Sequence, residues 1–166
     1  IVIIPQTNVA RKKLNYASSM ANMRGFYYKP RFFLDDLLKL DKDDVFITSA
    51  CIAGLLRDQT SIEQILVPLV QHFGDNVFLE IQNHNVDIQK EINRKALALY
   101  EDLGLKLIAA NDSHYVIRDG FKERLELLKG KGITYDDEDT FILDYPSYEE
   151  MERRFVKQKV LSKSQI

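Results

Sequence analysis

The sequence predicts an α/β fold built on a parallel sheet, and three observations lead there. Short β-branched apolar runs alternate with longer segments whose apolar residues recur at helical spacing, giving the order β-α-β-α-β-α-β-α through the middle of the chain. The runs show little alternation with polar residues, which predicts strands covered on both faces, as in parallel sheets with right-handed crossovers. Polar residues able to bind metals gather directly after those runs, where parallel α/β folds place their functional groups. An open doubly wound sheet and a (β/α) barrel share this pattern, and four strands are too few to close a barrel.

From the N-terminus, Ile1-Val2-Ile3-Ile4 reads as a buried strand. From Asn8 to Met23 the spacing turns helical, with Val9, Leu14, Ala17 and Ala21 on one face, and Gly25 stops it. Pro30 and Asp35-Asp36 bracket a short helix containing Leu34, Leu37 and Leu38. Val45 to Ala50 is the second strand. Ser61, with Gln64 three residues on, predicts a capped helix start, and Ile62, Ile65, Leu66, Leu69, Val70 and Phe73 follow at helical spacing. Pro68 predicts a kink in that helix and Gly74 its end. Val77 to Ile81 is the third strand. A helix capped at or near Asp87 carries Ile88, Ile92, Leu99 and Leu103 on one face and ends at Gly104. Leu105 to Ala110 is the fourth strand. Helices follow from about Asp119 to Lys129 and from Ser147 to about Gln158.

A chain of 166 residues fits one domain, or one with an appendage, and buries enough surface on folding for a real core. The formal net charge of −2 argues against a free-standing nucleic-acid binder, which carries a basic excess, but not against a module brought to DNA by a larger protein. One cysteine rules out an internal disulfide and predicts a cytoplasmic setting. No apolar run approaches the roughly 20 residues that span a bilayer, and no signal peptide is evident. The chain opens inside an apolar run without an initiator methionine, which predicts a piece of something longer, truncated at its N-terminus.

The strand ends carry the candidate chemistry: Ser49-Ala50-Cys51 after the second, Glu80, Gln82 and His84 at the third, Asn111-Asp112-Ser113-His114 after the fourth. Asp112 and His114 lie two apart, so extended backbone would point both side chains the same way. With a thiolate from a neighbouring strand end they form a half-shell suited to Zn²⁺ or Mn²⁺, ions that polarise a phosphoryl oxygen and supply hydroxide near neutral pH. On that reading Cys51, Asp112 and His114 are ligands, and Glu80 or His84 stands behind them or faces the substrate.

Blander readings stand beside it. Cys51 alone is a small buried hydrophobe, His114 a hydrogen-bonded histidine, and Asp112 the cap of the next turn. His84, between Asn83 and Asn85, reads as an exposed loop residue, and His72 as solvated. Arg11, Lys12 and Lys13 are most simply a wet helix face, with a phosphate contact as the weaker reading. Asp136-Asp137-Glu138-Asp139 reads as an exposed loop, since it lacks the glycine and spacing of a calcium loop.

Three stretches together carry a resemblance: Thr48-Ser49-Ala50-Cys51-Ile52-Ala53-Gly54, Phe78-Leu79-Glu80-Ile81-Gln82-Asn83-His84 and Ala110-Asn111-Asp112-Ser113-His114-Tyr115. In order and interval they resemble the PHP (polymerase and histidinol phosphatase) domain at the front of the bacterial replicative DNA polymerase III alpha subunit. Tyr27-Tyr28-Lys29-Pro30-Arg31 resembles the segment before the cysteine motif there. Phe141 to Phe155 resembles the passage toward the palm and thumb.

The resemblance implies part of a distorted seven-stranded (β/α) barrel over residues 1–133, with 134–166 as the connecting segment. It places Cys51, Asp112 and His114 on metal-ligand positions and gives no ligand role to Glu80 or His84. The family's opening His-x-His pair falls upstream of Ile1, so this chain holds at most three ligands of a larger set. Two roles follow for the domain. One is a structural and docking module of the polymerase; the other is a metal-dependent phosphoesterase, acting as a 3′→5′ exonuclease or on pyrophosphate. Either way the parent is a template-directed DNA polymerase using Mg²⁺, with DNA and other polymerase domains or replisome subunits as partners and no membrane.

Overall fold

The computed structural model describes residues 1–134, 140–162 and 164–166. The acidic run Asp136-Asp137-Glu138-Asp139 lies outside the described residues. Four strands form one mixed sheet in the order β1-β2-β3-β4: β1 (Val2–Pro5), β2 (Val45–Thr48), β3 (Val77–Gln82) and β4 (Lys106–Ala110). β2 and β3 run parallel, with Ile47 opposite Val77 and Thr48 opposite Phe78.

β1 corrects the expectation of a uniformly parallel sheet. It pairs antiparallel with β2, Val2 opposite Thr48 and Pro5 opposite Val45. The cause is visible at the end where β1 stops. α1 (Asn8–Arg24) leaves from there, and residues 25–44, with the short α2 (Leu34–Leu37), bring the chain back to the same end. Gln6 N–H donates to Asp44 O at 2.8 Å, so the chain re-enters the sheet where it left and no crossover is made.

Burial follows strand position. β3 is covered, with Leu79 fully buried, whereas Val2 and Ile4 of β1 and Ile108 of β4 are more than 40% exposed. β1 and β4 are the two edges of the sheet, and that position leaves them partly wet despite their apolar sequences. The expectation of strands covered on both faces therefore holds for β3 and fails for β1 and β4.

Helix starts follow side-chain chemistry. Thr7 caps α1 by accepting the Ala10 N–H at 3.0 Å. Asp58, not Ser61, caps the helical stretch that follows β2: its carboxylate accepts the Ser61 N–H at 2.8 Å and the Ser61 hydroxyl at 2.9 Å. A carboxylate at the first turn meets the helix's unpaired N–H groups with full charge, so it outcompetes the hydroxyl three residues later. That stretch runs through α3 (Gln59–Ser61), a π-helical turn Ile62–Leu66 and α4 (Val67–Phe73). The wider turn lies directly ahead of Pro68, where the proline's missing N–H and its ring are accommodated. α5 (Asp87–Leu103) ends at Gly104, whose φ of +65° suits glycine alone without strain.

The chain divides into two compact units, residues 1–79 with 100–106 and residues 80–99 with 107–166, the boundary passing through β3, α5 and β4. The first unit has an apolar core of Val45, Ile47, Leu66, Leu69, Phe73, Val77 and Leu79. The second contains α6 (Phe121–Gly130) and α7 (Tyr148–Gln158), the latter capped by Ser147, which accepts the Glu150 N–H. Its buried apolar residues include Ile81, Ile92, Ala96, Leu143 and Phe155, and they share the interior with Gln82, Asn83, His84, Gln89, Asn93 and Gln158. Among the described residues no helix is long and apolar enough to cross a membrane.

Candidate functional site

In the second unit, the segment after β4 is pinned by backbone and side-chain bonds to residues 143 and 144. The His114 N–H donates to Leu143 O at 2.7 Å, the Ser113 hydroxyl donates to Asp144 O at 2.9 Å, and the Leu143 N–H donates to the Tyr115 hydroxyl at 3.1 Å. Asp112 sits at φ +51°, a conformation that Asp tolerates better than most residues. His114 Nε2 then lies 3.4 Å from Asp112 Oδ1, with both side chains about two-fifths exposed. The two groups meet through a left-handed turn, not through the strand alternation that the sequence suggested. Their contact is an ion pair only when the imidazole is protonated.

His84 corrects the reading of an exposed loop residue: it is 3% exposed. The cause is a buried polar network at the end of β3. Asn93 on α5 donates to Gln82 O at 2.8 Å and to Gln158 Oε1 at 2.7 Å. Gln158, at the end of α7, donates in turn to His84 O at 2.7 Å and to Gln82 O at 3.1 Å. Two helices thus hold the backbone of residues 82–84, and the His84 ring packs edge-on against Phe141 at 5.2 Å.

Among the described residues neither ring nitrogen of His84 has a hydrogen-bond partner. An unsatisfied buried polar group costs about 1–3 kcal/mol, so such an atom in a folded protein asks for a reason. Burial is the main influence that lowers the His84 pKa; Asp112 works against it, while Arg154 and His114 reinforce it.

Beside this network Arg154 grips Asp144 with two prongs, Nη1 to Oδ1 at 2.7 Å and Nη2 to Oδ2 at 2.9 Å, and its Nε reaches Glu150 at 2.9 Å. Both members of the Arg154–Asp144 pair are nearly buried. The guanidinium holds the Asp144 carboxyl below its usual range.

The remaining candidates have these settings. Glu80 on β3 is half-buried and accepts the Gln82 side-chain amide at 3.0 Å. Cys51 is half-buried in the first unit, in a turn where Ala50 takes φ +61° and the Gly54 N–H donates to Cys51 O at 2.7 Å. A Cβ on Gly54 would fall 2.1 Å from Ser49 O, so only glycine closes that turn. On α1, Lys13 is held between Asp41 and Asp44, both at 2.7 Å, while Arg11 and Lys12 stay exposed. His72, read as solvated, is exposed, yet its Nε2 lies 2.8 Å from Leu40 O.

Among the described residues no group of three or more His, Cys, Asp and Glu side chains stands close enough to hold a metal ion. Zinc takes four protein ligands in structural sites and three in catalytic ones, and the Asp112–His114 pair supplies two. These residues alone do not fit a complete metal centre.

No family model matches the chain. Relatives do. DNA polymerase III subunit alpha of Borreliella burgdorferi is 33% identical over 146 residues, 83% of this chain and 13% of that protein. The chain is similar to one stretch of DNA polymerase III subunit alpha. The Aquifex aeolicus protein of that name is 30% identical over 122 residues, 70% of this chain and 10% of its own length. For that of Saccharopolyspora erythraea the figures are 31% over 139 residues, 79% and 12%. The chain therefore spans between 10% and 13% of the length of these relatives.

Sequence reasoning missed Asn93, Gln158, Asp144 and Arg154. A signal for the first two was present: each is a long polar residue placed on the apolar face of an otherwise amphipathic helix, Asn93 beside Ile92 and Ala96, Gln158 three residues after Phe155. For the Asp144–Arg154 pair no periodicity marks a partner ten residues away.

Proposed function

We propose that the chain is part of the PHP domain of a replicative DNA polymerase III alpha subunit, and that this stretch acts as a structural and docking module. The observation that carries the reading is the similarity to that subunit over 83% of the chain. On this reading the four strands belong to a distorted seven-stranded (β/α) barrel, residues 1–133 form the C-terminal part of the domain, and 134–166 lead toward palm and thumb. The parent is a template-directed, Mg²⁺-dependent DNA polymerase of the cytoplasm, whose catalytic carboxylates lie elsewhere. DNA and the other polymerase domains or replisome subunits are its partners.

Surface composition supports a docking role. Phe26, Tyr27, Tyr28, Phe32 and Phe33 are all more than 40% exposed within eight residues, and Arg31 lies over the Tyr27 ring at 4.9 Å. An exposed aromatic and cationic strip of this density is the composition of an interface.

A second reading, a metal-dependent phosphoesterase of 3′→5′ exonuclease or pyrophosphatase type, is favoured by one observation, the adjacency of Asp112 and His114. Cys51, Asp112 and His114 would be its ligands for Zn²⁺ or Mn²⁺, with Glu80 or His84 behind them. Arg11 and Lys12 would then be the exposed cations on α1 able to meet nucleic-acid phosphate. An assay of the chain on a 3′-labelled oligonucleotide and on pyrophosphate, with added Mn²⁺ or Zn²⁺, separates the two. The docking reading expects no turnover above buffer. Robust turnover that disappears in Asp112→Asn establishes the phosphoesterase instead.

A further inference from the structure

A small pocket in the second unit, about 260 Å³, is bordered by Arg118, Arg153, Arg154 and Lys157, with Glu150 as its one carboxylate among the described residues. Arg154 is committed to Asp144 and Glu150, and Arg153 reaches Glu150 at 2.5 Å. Arg118 and Lys157 are exposed and hold no ion pair among the described residues, so two cations remain for a guest. This charge repels a metal ion and attracts an anion. The volume lies below the range of roughly 300–1,000 Å³ that encloses whole drug-sized ligands, which selects a small group over an entire nucleotide.

An independent feature of the same pocket points to a ligand. His84, 3% exposed, is among its lining residues, and both of its ring nitrogens lack a partner among the described residues. A neutral imidazole always carries one N–H, and here that donor is shielded from bulk solvent. Gln158 fixes its backbone, and because both ring nitrogens are buried the ring must turn about its side-chain bonds to present that donor to the pocket.

We propose that this pocket binds a terminal phosphoryl group, with Arg118 and Lys157 as its cationic contacts and the His84 ring N–H as a neutral hydrogen-bond donor. Arginine meets phosphate with two parallel N–H bonds and lysine as a point charge, so the pair divides geometric selection from attraction. Two sources share this chemistry, inorganic phosphate or pyrophosphate and the 5′-phosphate of a nucleic-acid end. The proposal does not depend on the relationship to polymerase subunits.

The test titrates the 166-residue chain by calorimetry with orthophosphate, pyrophosphate, a 5′-phosphorylated trithymidylate and the same oligonucleotide bearing a 5′-hydroxyl. In parallel, the ¹⁵N resonances of the histidine rings are followed. Saturable binding of an inorganic probe, or of the phosphorylated oligonucleotide but not its hydroxyl counterpart, is expected, together with a shift of the His84 ring signals. Arg118→Gln and Lys157→Gln, both at exposed positions that leave the fold intact, should each weaken binding roughly tenfold, the effect of losing one charge-assisted contact. Absence of saturation with every phosphate probe, saturable binding of the hydroxyl oligonucleotide as tight as that of its phosphorylated counterpart, unmoved His84 signals, or undiminished affinity in both variants would overturn it.

Discussion

Asp144 and Arg154 neutralise each other where little water reaches them, and nearby burial disfavours the charged form of His84, whose ring has no partner among the described residues. These neighbours respond to acid in separate windows. Because burial lowers the His84 pKa in the folded chain, the unfolded chain takes up the proton first. Stability is therefore full above the ordinary histidine value of about 6.5 and falls as pH drops through it toward the folded value. Asp144, depressed by Arg154, contributes stability present above the ordinary carboxylate range and lost as pH falls through its folded value. Denaturant unfolding between pH 4 and 8 should show the first decline in the native chain and not in His84→Phe; an identical slope in both would contradict it. Arg154→Leu strands the Asp144 carboxylate, and we expect about 3 kcal/mol of lost stability at pH 7, read as a lower denaturation midpoint with unchanged slope.

At the scale of single elements, β3 organises the second unit through backbone carbonyls and the first through aliphatic side chains. Leu79 is fully buried, so Leu79→Ala should cost about 2–5 kcal/mol in equilibrium unfolding; a loss under about 0.5 would mean an uncovered strand. Asn93 ties α5 and α7 to residue 82, and Asn93→Ala leaves the Gln82 carbonyl short of a donor and Gln158 Oε1 without Asn93. A loss of about 2 kcal/mol or more is expected there, since buried partners are stranded. The strands were legible because apolar β-branched runs bounded by polar residues have few other uses. The bounds of α1, α5 and α7 were legible from spacing and caps, with Ser147 and Gly104 where expected, but not the full buried faces: Val9, Ile88 and Leu103 are exposed, while Ala10, Gln89 and Asn93 are buried. The start of α3 was not, because Asp58 and Ser61 are both good caps and only the folded chain shows which side chain meets the free N–H groups.

At the scale of the molecule, a chain matching little more than a tenth of its relatives exposes much apolar surface: Val2 and Ile4 on one sheet edge, Ile108 on the other, and the aromatic strip from Phe26 to Phe33. On the proposed reading of this chain as part of a polymerase subunit with docking faces here, replacing Tyr27, Tyr28 and Phe33 with serine in that subunit should lower its yield or subunit association while leaving the circular dichroism of this chain unchanged. A variant polymerase that assembles and replicates normally would remove the docking role.

By itself the sequence determined the α/β class, the strand positions and most helix bounds, because each rests on local spacing or residue chemistry. Only tertiary structure decided that β1 runs antiparallel, that Asp112 and His114 meet through a left-handed turn, and that His84 is buried. Those outcomes depend on bonds between residues far apart in the chain, Gln6 with Asp44, His114 with Leu143, His84 with Gln158, and no local pattern encodes a partner at such distance.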